Sequence, residues 1–491
     1  MKQEFFEITM GVDQEILVMN IRFQRLILPL VLVLVALSVG HAEECAQIND
    51  RWELLVDDYI IDRMKGEIEL RLHSPTVQEV VLTHDKPWEG NTSGYHTIFK
   101  DGEICRMYYR GWNHDDKTQK QLHPALVCYA QSRDGIHWER PNLGLVDFRE
   151  SKENNIILSG FGTHNFTPFK DSNPRCRAGA LYKAVARGEG KDSQNLFAFE
   201  SPDGIHWRLT QQGPIITEGA FDSQNLAFWD SVRGEYRCYF RDFRDGFRGI
   251  KTSTSEDFRS WRKPMWLSYG DAPAEHLYTN QIQPYYRSPH IFIGFPTRYI
   301  PQRGSLTEGL FMSSRDGLKF HRWQEAVLRP GLNRSKWQNR SNYIWLGMLE
   351  TQSKLPGGGK ELSIFSNEGY YKGTGGSTRR YTYRIDGFVS LHGSFQGGEM
   401  ITKPLIFKGR SLIVNFSTSA AGSLRVEIQD SGGKAVEGYA LSECREIYGD
   451  EIERLVQWRN SSDVSNLAGE PIRLRFVLKD ADVFAFGFRD E

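Results

Sequence analysis

Five times along the chain a strand-like run ends in a turn built around an aspartate, usually followed by glycine and then an aromatic ring. The copies are Ser132-Arg-Asp134-Gly135-Ile-His-Trp138, Ser201-Pro-Asp203-Gly204-Ile-His-Trp207, Ser255-Glu-Asp257-Phe258-Arg-Ser-Trp261, Ser314-Arg-Asp316-Gly317-Leu-Lys-Phe320 and a degenerate Arg384-Ile-Asp386-Gly387-Phe388. Their aspartates are spaced by 69, 54, 59 and 70 residues. An interval of that size holds one four-stranded sheet, and sheets repeated radially make a β-propeller. The box suits such a turn: Asp accepts from turn amides, Gly tolerates positive φ, and the aromatic can pack between neighbouring sheets. Five boxes predict five blades.

Behind each box lies the same order, a polar opening with Asn, an aromatic strand, and a strand running into the box. The openings are Glu89-Gly-Asn91, Asp171-Ser-Asn173, Asp222-Ser-Gln-Asn225, Thr279-Asn280 and Ser341-Asn342. Alternating strands such as Glu235-Tyr-Arg-Cys-Tyr-Phe240 follow them. Trp52–Ile61 reads as an early strand placed to pair with the last sheet and close the ring. After Leu391 the texture shifts to short alternating strands around the hairpin signal Asp430-Ser-Gly-Gly433, which predicts an appended β-sandwich. The expected organisation is all-β: an N-terminal extension and signal peptide over 1–42, a five-bladed propeller over 43–392 and a β-sandwich over 393–491.

Arg22 and Arg25 precede an apolar run from Leu26 to Val39, and Gly40-His41-Ala42 reads as a cleavage site, with Met19 a candidate start. This predicts a secreted or periplasmic protein with no membrane attachment after cleavage. The 61 basic and 62 acidic residues nearly cancel, which gives no reason to expect nucleic acid as a partner. The remaining six cysteines, Cys45, Cys105, Cys128, Cys176, Cys238 and Cys444, show no metal-ligand spacing. They read either as disulfides, with Cys105–Cys128 the first choice, or as buried thiols. No metal or other cofactor is expected, and oligomeric state is not legible.

An exported five-bladed propeller followed by a β-sandwich resembles the invertase, levansucrase and arabinanase group of glycoside hydrolases. The resemblance is architectural: the invertase-type opening Trp-Met-Asn-Asp-Pro-Asn-Gly is missing, and Arg241-Asp242 and Glu443-Cys444 do not carry over as that group's site residues. It implies a carbohydrate substrate. Glycoside hydrolysis needs two carboxyl groups, one protonated to assist the leaving oxygen and one ionised opposite. Asp171 and Asp222 read as equivalent positions of consecutive blades, and Glu368 as a third carboxyl in the last blade. All three are expected on one face of the channel. Glu368 is expected as general acid, its pKa raised by Tyr370 and Tyr371, and Asp222 as base or nucleophile. Asn91, Asn173 and Asn225 are expected to hydrogen-bond the substrate, and Trp88, Tyr95 and Tyr278 to stack on sugar faces. Arg175, Arg298 and Arg379 read as readers of an acidic sugar or as surface residues. The competing readings are a glycan-binding propeller without catalysis and a protein-interaction scaffold.

Overall fold

The computed structural model describes residues 45–490 except 339, 372, 374 and 460. The expected signal peptide therefore lies outside the described residues. Five four-stranded antiparallel sheets follow one another along the chain. Their innermost strands are Gly94–Asp101, Thr167–Lys170, Leu226–Asp230, Gln283–Tyr285 and Leu349–Gln352. A small three-stranded sheet, His276–Leu277 with Thr297–Ile300 and Leu306–Gly309, is inserted at blade four. The fold is the predicted five-bladed propeller.

Four boxes form the same turn, each between the third and fourth strands of its blade. In the first, Asp134 Oδ1 accepts from the amides of Ile136 and His137, both at 2.8 Å, while Ser132 Oγ accepts from Gly135 N at 2.9 Å. Asp203, Asp257 and Asp316 repeat these bonds. The box aromatics pack between sheets as expected: Trp207 meets Tyr108 of blade one edge-on at 6.4 Å, and Phe320 meets Tyr239 of blade three at 6.3 Å. Such T-shaped pairs add to the area they bury.

The fifth box departs from the pattern. After Ser377–Tyr383, the third strand of blade five, the chain leaves the ring instead of turning back. Asp386 is wholly buried and accepts from Trp52 Nε1 at 2.8 Å, Tyr285 Oη at 2.7 Å and Asn415 Nδ2 at 2.9 Å. The fourth strand of blade five is Thr76–Thr83, which pairs with Ser377–Tyr383. Ring closure therefore belongs to Thr76–Thr83, not to Trp52–Ile61. Within that earlier segment Glu53–Leu54 pairs with Ile472–Arg489 instead.

The remaining strands form one eight-stranded sheet, the predicted sandwich. Its long strands, Val389–Thr402, Ser411–Asp430 and Ile472–Arg489, shift register at Gly393/Gly398 and Thr418/Ser423. Such bulges bend strands around a core, here of Leu412, Phe416, Val426, Trp458, Leu474, Phe476 and Phe486. Ala46–Asn49, Glu53–Leu54 and Ile61–Leu72 join this sheet, so the segment before Thr76, expected in the propeller, builds the sandwich. All six cysteines are free. Cys105 lies opposite Ser132 and Cys128 opposite Tyr109, a register that keeps the expected pair apart.

Candidate active site

The five innermost strands begin on one face of the ring, the funnel face, and end on the other, beside the boxes. Strain marks the funnel face. Tyr95, Asn165, Gln281 and Asn342, at or just before the innermost strands of four blades, have φ of 53°, 60°, 48° and 65°. A left-handed tyrosine is a genuine outlier, and such backbone clusters where the surrounding structure enforces it for a purpose. Below these residues the channel is cross-braced. Gln224 Nε2 donates to His96 O at 3.1 Å and to Thr97 Oγ1 at 3.2 Å, and its Oε1 accepts from Gln281 Nε2 at 2.8 Å.

Tyrosines line this face. Tyr343 stands 5.5 Å from Tyr278, 6.2 Å from Tyr370 and 6.4 Å from Tyr95, centroid to centroid. Guanidinium groups stack around them: Arg110 over Tyr95 at 4.8 Å, Arg241 over Tyr278 at 5.1 Å and Arg340 over Tyr371 at 4.4 Å. Tyr95 and Tyr278, expected to stack on sugars, are thus on the funnel face but mostly buried under arginines.

Asp222 stands at this face, its side chain 59% exposed. His164 Nε2 donates to Asp222 Oδ1 at 2.8 Å, and Arg187 approaches the same oxygen at 3.5 Å. The His164 hydrogen bond, helped by the charges of Arg241 and Arg187 and opposed by partial burial, holds the Asp222 carboxyl well below the usual carboxylate range. Burial lowers the pKa of His164, Asp222 draws it up, and Arg110 and Arg187 press it down; the net effect is a neutral imidazole near pH 7. Its Nε2–H is committed to Asp222, which leaves Nδ1 as an acceptor. His164 and Arg187 also line a recess of about 300 Å³ together with Trp112, Thr163 and Glu189. Glu189 Oε1 accepts from Thr163 Oγ1 at 3.1 Å. Glu189 is the carboxylate that lines this recess, and Asp222 is joined to it through two other lining residues, His164 and Arg187.

Of the other expected carboxyl groups, Asp171 lies on the opposite face and Glu368, at the funnel-face end of its strand, is spent in ion pairs. Asp171 follows the innermost strand Thr167–Lys170 instead of preceding it, which puts it on the box face. There it bonds Tyr236 Oη at 2.7 Å and Lys183, beside Asp257. Its expected equivalence to Asp222 does not hold; the funnel-face counterpart in blade two is Asn165. Glu368 ends the second strand of blade five, ion-paired to Arg379 at 2.7 Å and Lys336 at 2.8 Å. Burial raises its pKa, but those two cations outweigh it and the carboxyl titrates below its ordinary value. Tyr370, expected to desolvate it, instead hydrogen-bonds Arg110.

The asparagines serve the backbone. Asn91 Nδ2 donates to His114 O and Gly373 O, both at 2.9 Å; Asn225 Nδ2 donates to Phe221 O at 2.9 Å and Ser223 O at 3.1 Å. Asn173, on the box face, donates to Tyr236 Oη at 3.0 Å. Trp88 donates to Asn155 at 2.7 Å and packs on Phe148. Arg298 and Arg379 are spent on Glu275, Glu308 and Glu368.

The sequence reading passed over Arg110 and Arg187 and set Arg241 aside; all three fall at or near the ends of second strands in three consecutive blades. Tyr-Tyr-Arg110, Val-Ala-Arg187 and Tyr-Phe-Arg241 repeat an apolar run closed by arginine, and that repeat was legible.

No protein-family profile matches the sequence. Two uncharacterised proteins of Mycobacterium tuberculosis are 28% identical to it over 156 and 149 residues, covering 30% of this chain and 42% of each relative. The chain thus spans less than half the length of the curated relatives it matches. Similar solved structures include a GH130 protein from a study of hydrolases that target β-1,2-mannosidic linkages in Candida mannan. It is 13% identical over 68% of this chain and 96% of its own, with TM-score 0.39. A glycosyl hydrolase of Bacteroides ovatus is 13% identical, covering 66% and 94%, with TM-score 0.40. A GH32 β-fructofuranosidase of Bombyx mori is 10% identical, covering 86% and 94%, with TM-score 0.39.

Proposed function

We propose that the chain is an exported glycoside hydrolase whose chemistry occurs on the funnel face, with Asp222 as the ionised carboxylate and Glu189, in the recess lined by His164 and Arg187, as its partner. The observation that carries this reading is the Asp222–His164 pair. It keeps an accessible carboxylate charged and oriented, and its partners His164 and Arg187 line a recess that a second carboxylate, Glu189, also lines. An anionic Asp222 suits attack on a sugar carbon or activation of water. Proton donation to a leaving oxygen falls to the less constrained Glu189. His164 is a positioning residue: its Nε2–H fixes the Asp222 rotamer, and its Nδ1 stays free to accept a substrate hydroxyl.

The test is turnover of a polysaccharide panel, read as reducing-end release. Asp222→Asn and Glu189→Gln should each lower turnover by about 10²-fold or more with the fold intact, the scale of losing an acid–base group. Wild-type rates in both variants would remove the site. A wild-type protein that binds glycans and cleaves none would turn the reading to a glycan-binding propeller.

A further inference from the structure

Three arginines on the funnel face, Arg110, Arg241 and Arg340, make no direct ion pair among the described residues, although Asp222 acts on the first two at longer range. Arg110 is 4% exposed and Arg241 6%, and neither has a carboxylate within ion-pair distance among the described residues. Arg110 donates to neutral groups, Asn165 Oδ1 at 2.9 Å, Thr92 O at 3.1 Å and the Tyr370 hydroxyl, and its Nε has no acceptor. Arg241 Nε is also without an acceptor, as is the Tyr343 hydroxyl. Half-buried Arg340 stacks on Tyr371. Buried cations without counter-charges are costly, and folded proteins keep them where a ligand supplies the charge. Stacking on tyrosine faces matters too: a guanidinium flat on a ring turns its N–H edge outward, the geometry that grips a carboxylate or sulfate with two parallel hydrogen bonds.

We propose that Arg241 and Arg340, flanking the Tyr278–Tyr343 pair with Arg110 beside them, form a subsite for an oxyanion carried by the glycan, a uronate carboxylate or a sulfate ester. This rests on the glycan-processing reading and names its substrate class. The arginines are supplied by the second strands of blades one and three and by the segment before blade five, so the subsite spans the ring beside Asp222. Asp222 is the one negative charge shown among them, which leaves the funnel cationic within a chain whose formal net charge is −1.

The experiment measures binding of the mature chain to polygalacturonate, dextran sulfate, neutral dextran and inorganic phosphate by affinity electrophoresis and calorimetry, at low and high salt. Wild type should prefer an acidic polymer over dextran by about tenfold or more, with binding weakened by salt. Arg340→Gln and Arg241→Gln should each lose about tenfold on the acidic polymer while dextran is unaffected, and Arg241→Lys should recover part of the loss. If Arg241→Gln fails to fold, the more exposed Arg340→Gln carries the test. Equal binding of acidic and neutral polymers, or acidic binding unchanged in both Gln variants, overturns the subsite. Arginine-dependent binding of phosphate without acidic polymer overturns the glycan as the source of the anion. Asp222→Asn separates the two readings: with the negative charge beside the arginines removed, it should bind the acidic polymer at least as tightly as wild type and lose turnover. Acidic binding with no turnover in wild type would sink the enzyme and leave the subsite, whereas turnover confined to neutral glycans would do the reverse.

Discussion

Replacing Asp386 by alanine should cost far more stability than the same change at any other box. The carboxylate accepts from Trp52 Nε1, Tyr285 Oη and Asn415 Nδ2 at 2.7–2.9 Å and lies 3.3 Å from Arg287. Truncation leaves two of these partners with alternatives: Asn415 Nδ2 also donates to Ile385 O, and Arg287 also pairs with Glu453. The Trp52 indole N–H and the Tyr285 O–H, in residues 5% and 0% exposed, lose their only acceptor, although the Tyr285 oxygen keeps the bond it accepts from Asp386 N at 3.1 Å. At about 1–3 kcal/mol for each of these two buried donors, the loss is about 2–6 kcal/mol. Asp134→Ala removes bonds to Ile136 N and His137 N from an aspartate whose side chain is 49% exposed, where water can replace it, so about 1 kcal/mol is expected. Trp52 and Asn415 lie on the sandwich side and Tyr285 in blade four, so the variant should also uncouple the two parts. Urea unfolding followed by fluorescence and by far-UV circular dichroism reads both effects. A midpoint for Asp386→Ala equivalent to within about 1 kcal/mol of wild type, with coincident probes, would refute the assignment of this aspartate as the joint.

Two further outcomes follow from the carboxylates. Burial raises the pKa of Glu53, but His290 and Arg315 overcome it and bring it to about 2. The native state therefore binds fewer protons than the unfolded chain, so this stabilisation is present above the ordinary glutamate pKa and disappears as pH falls toward about 2. Urea midpoints measured between neutral pH and pH 3 should fall with acidification, less steeply in Glu53→Gln; an identical slope in that variant would contradict the linkage. Glu368→Gln should leave cleavage within a few-fold of wild type while lowering the melting temperature, since it strips Lys336 and Arg379 of their shared anion. A hundredfold loss of turnover at unchanged stability would restore Glu368 to the chemistry.

Blade count and the interiors of the strands were legible because one turn chemistry recurs: a serine, an aspartate and a left-handed third position make the same bonds four times. The register of blade two was not. Asp171-Ser-Asn173 looks like an opening because Asn173 N donates to Asp171 Oδ1 at 3.0 Å, a local turn that caps the end of a strand as well as its start. The true counterpart, Thr163-His164-Asn165, carries no acidic residue, so a search for carboxylates passed over it. Glu368 misled for another reason. Its charge is set by Arg379 on the neighbouring strand and by Lys336 from the short 3-10 helix Arg334–Lys336, partners that only the fold brings together. The repeat of arginine-ended strands was legible, but that it makes a cationic funnel was not, because each arginine is unremarkable alone and acquires meaning only when the blades converge.

The closing of ring and sandwich by N-terminal strands sets an order of events during synthesis. Ile61–Leu72 pairs with Val389–Thr402 and Thr76–Thr83 with Ser377–Tyr383, so each must wait for about three hundred later residues before its partner exists. An unpaired strand kept waiting is a template for intermolecular association. Six of the twelve residues in Ile61–Leu72 are charged and most of its middle remains exposed in the folded protein, which keeps the waiting strand soluble and poorly suited to pairing with another copy of itself. Blades one to four can assemble in sequence as they emerge, whereas blade five and the sandwich can form only when the chain is almost complete. A nascent chain stalled before Ser377 would hold four finished blades and an open seam, the state in which a chaperone has most to protect.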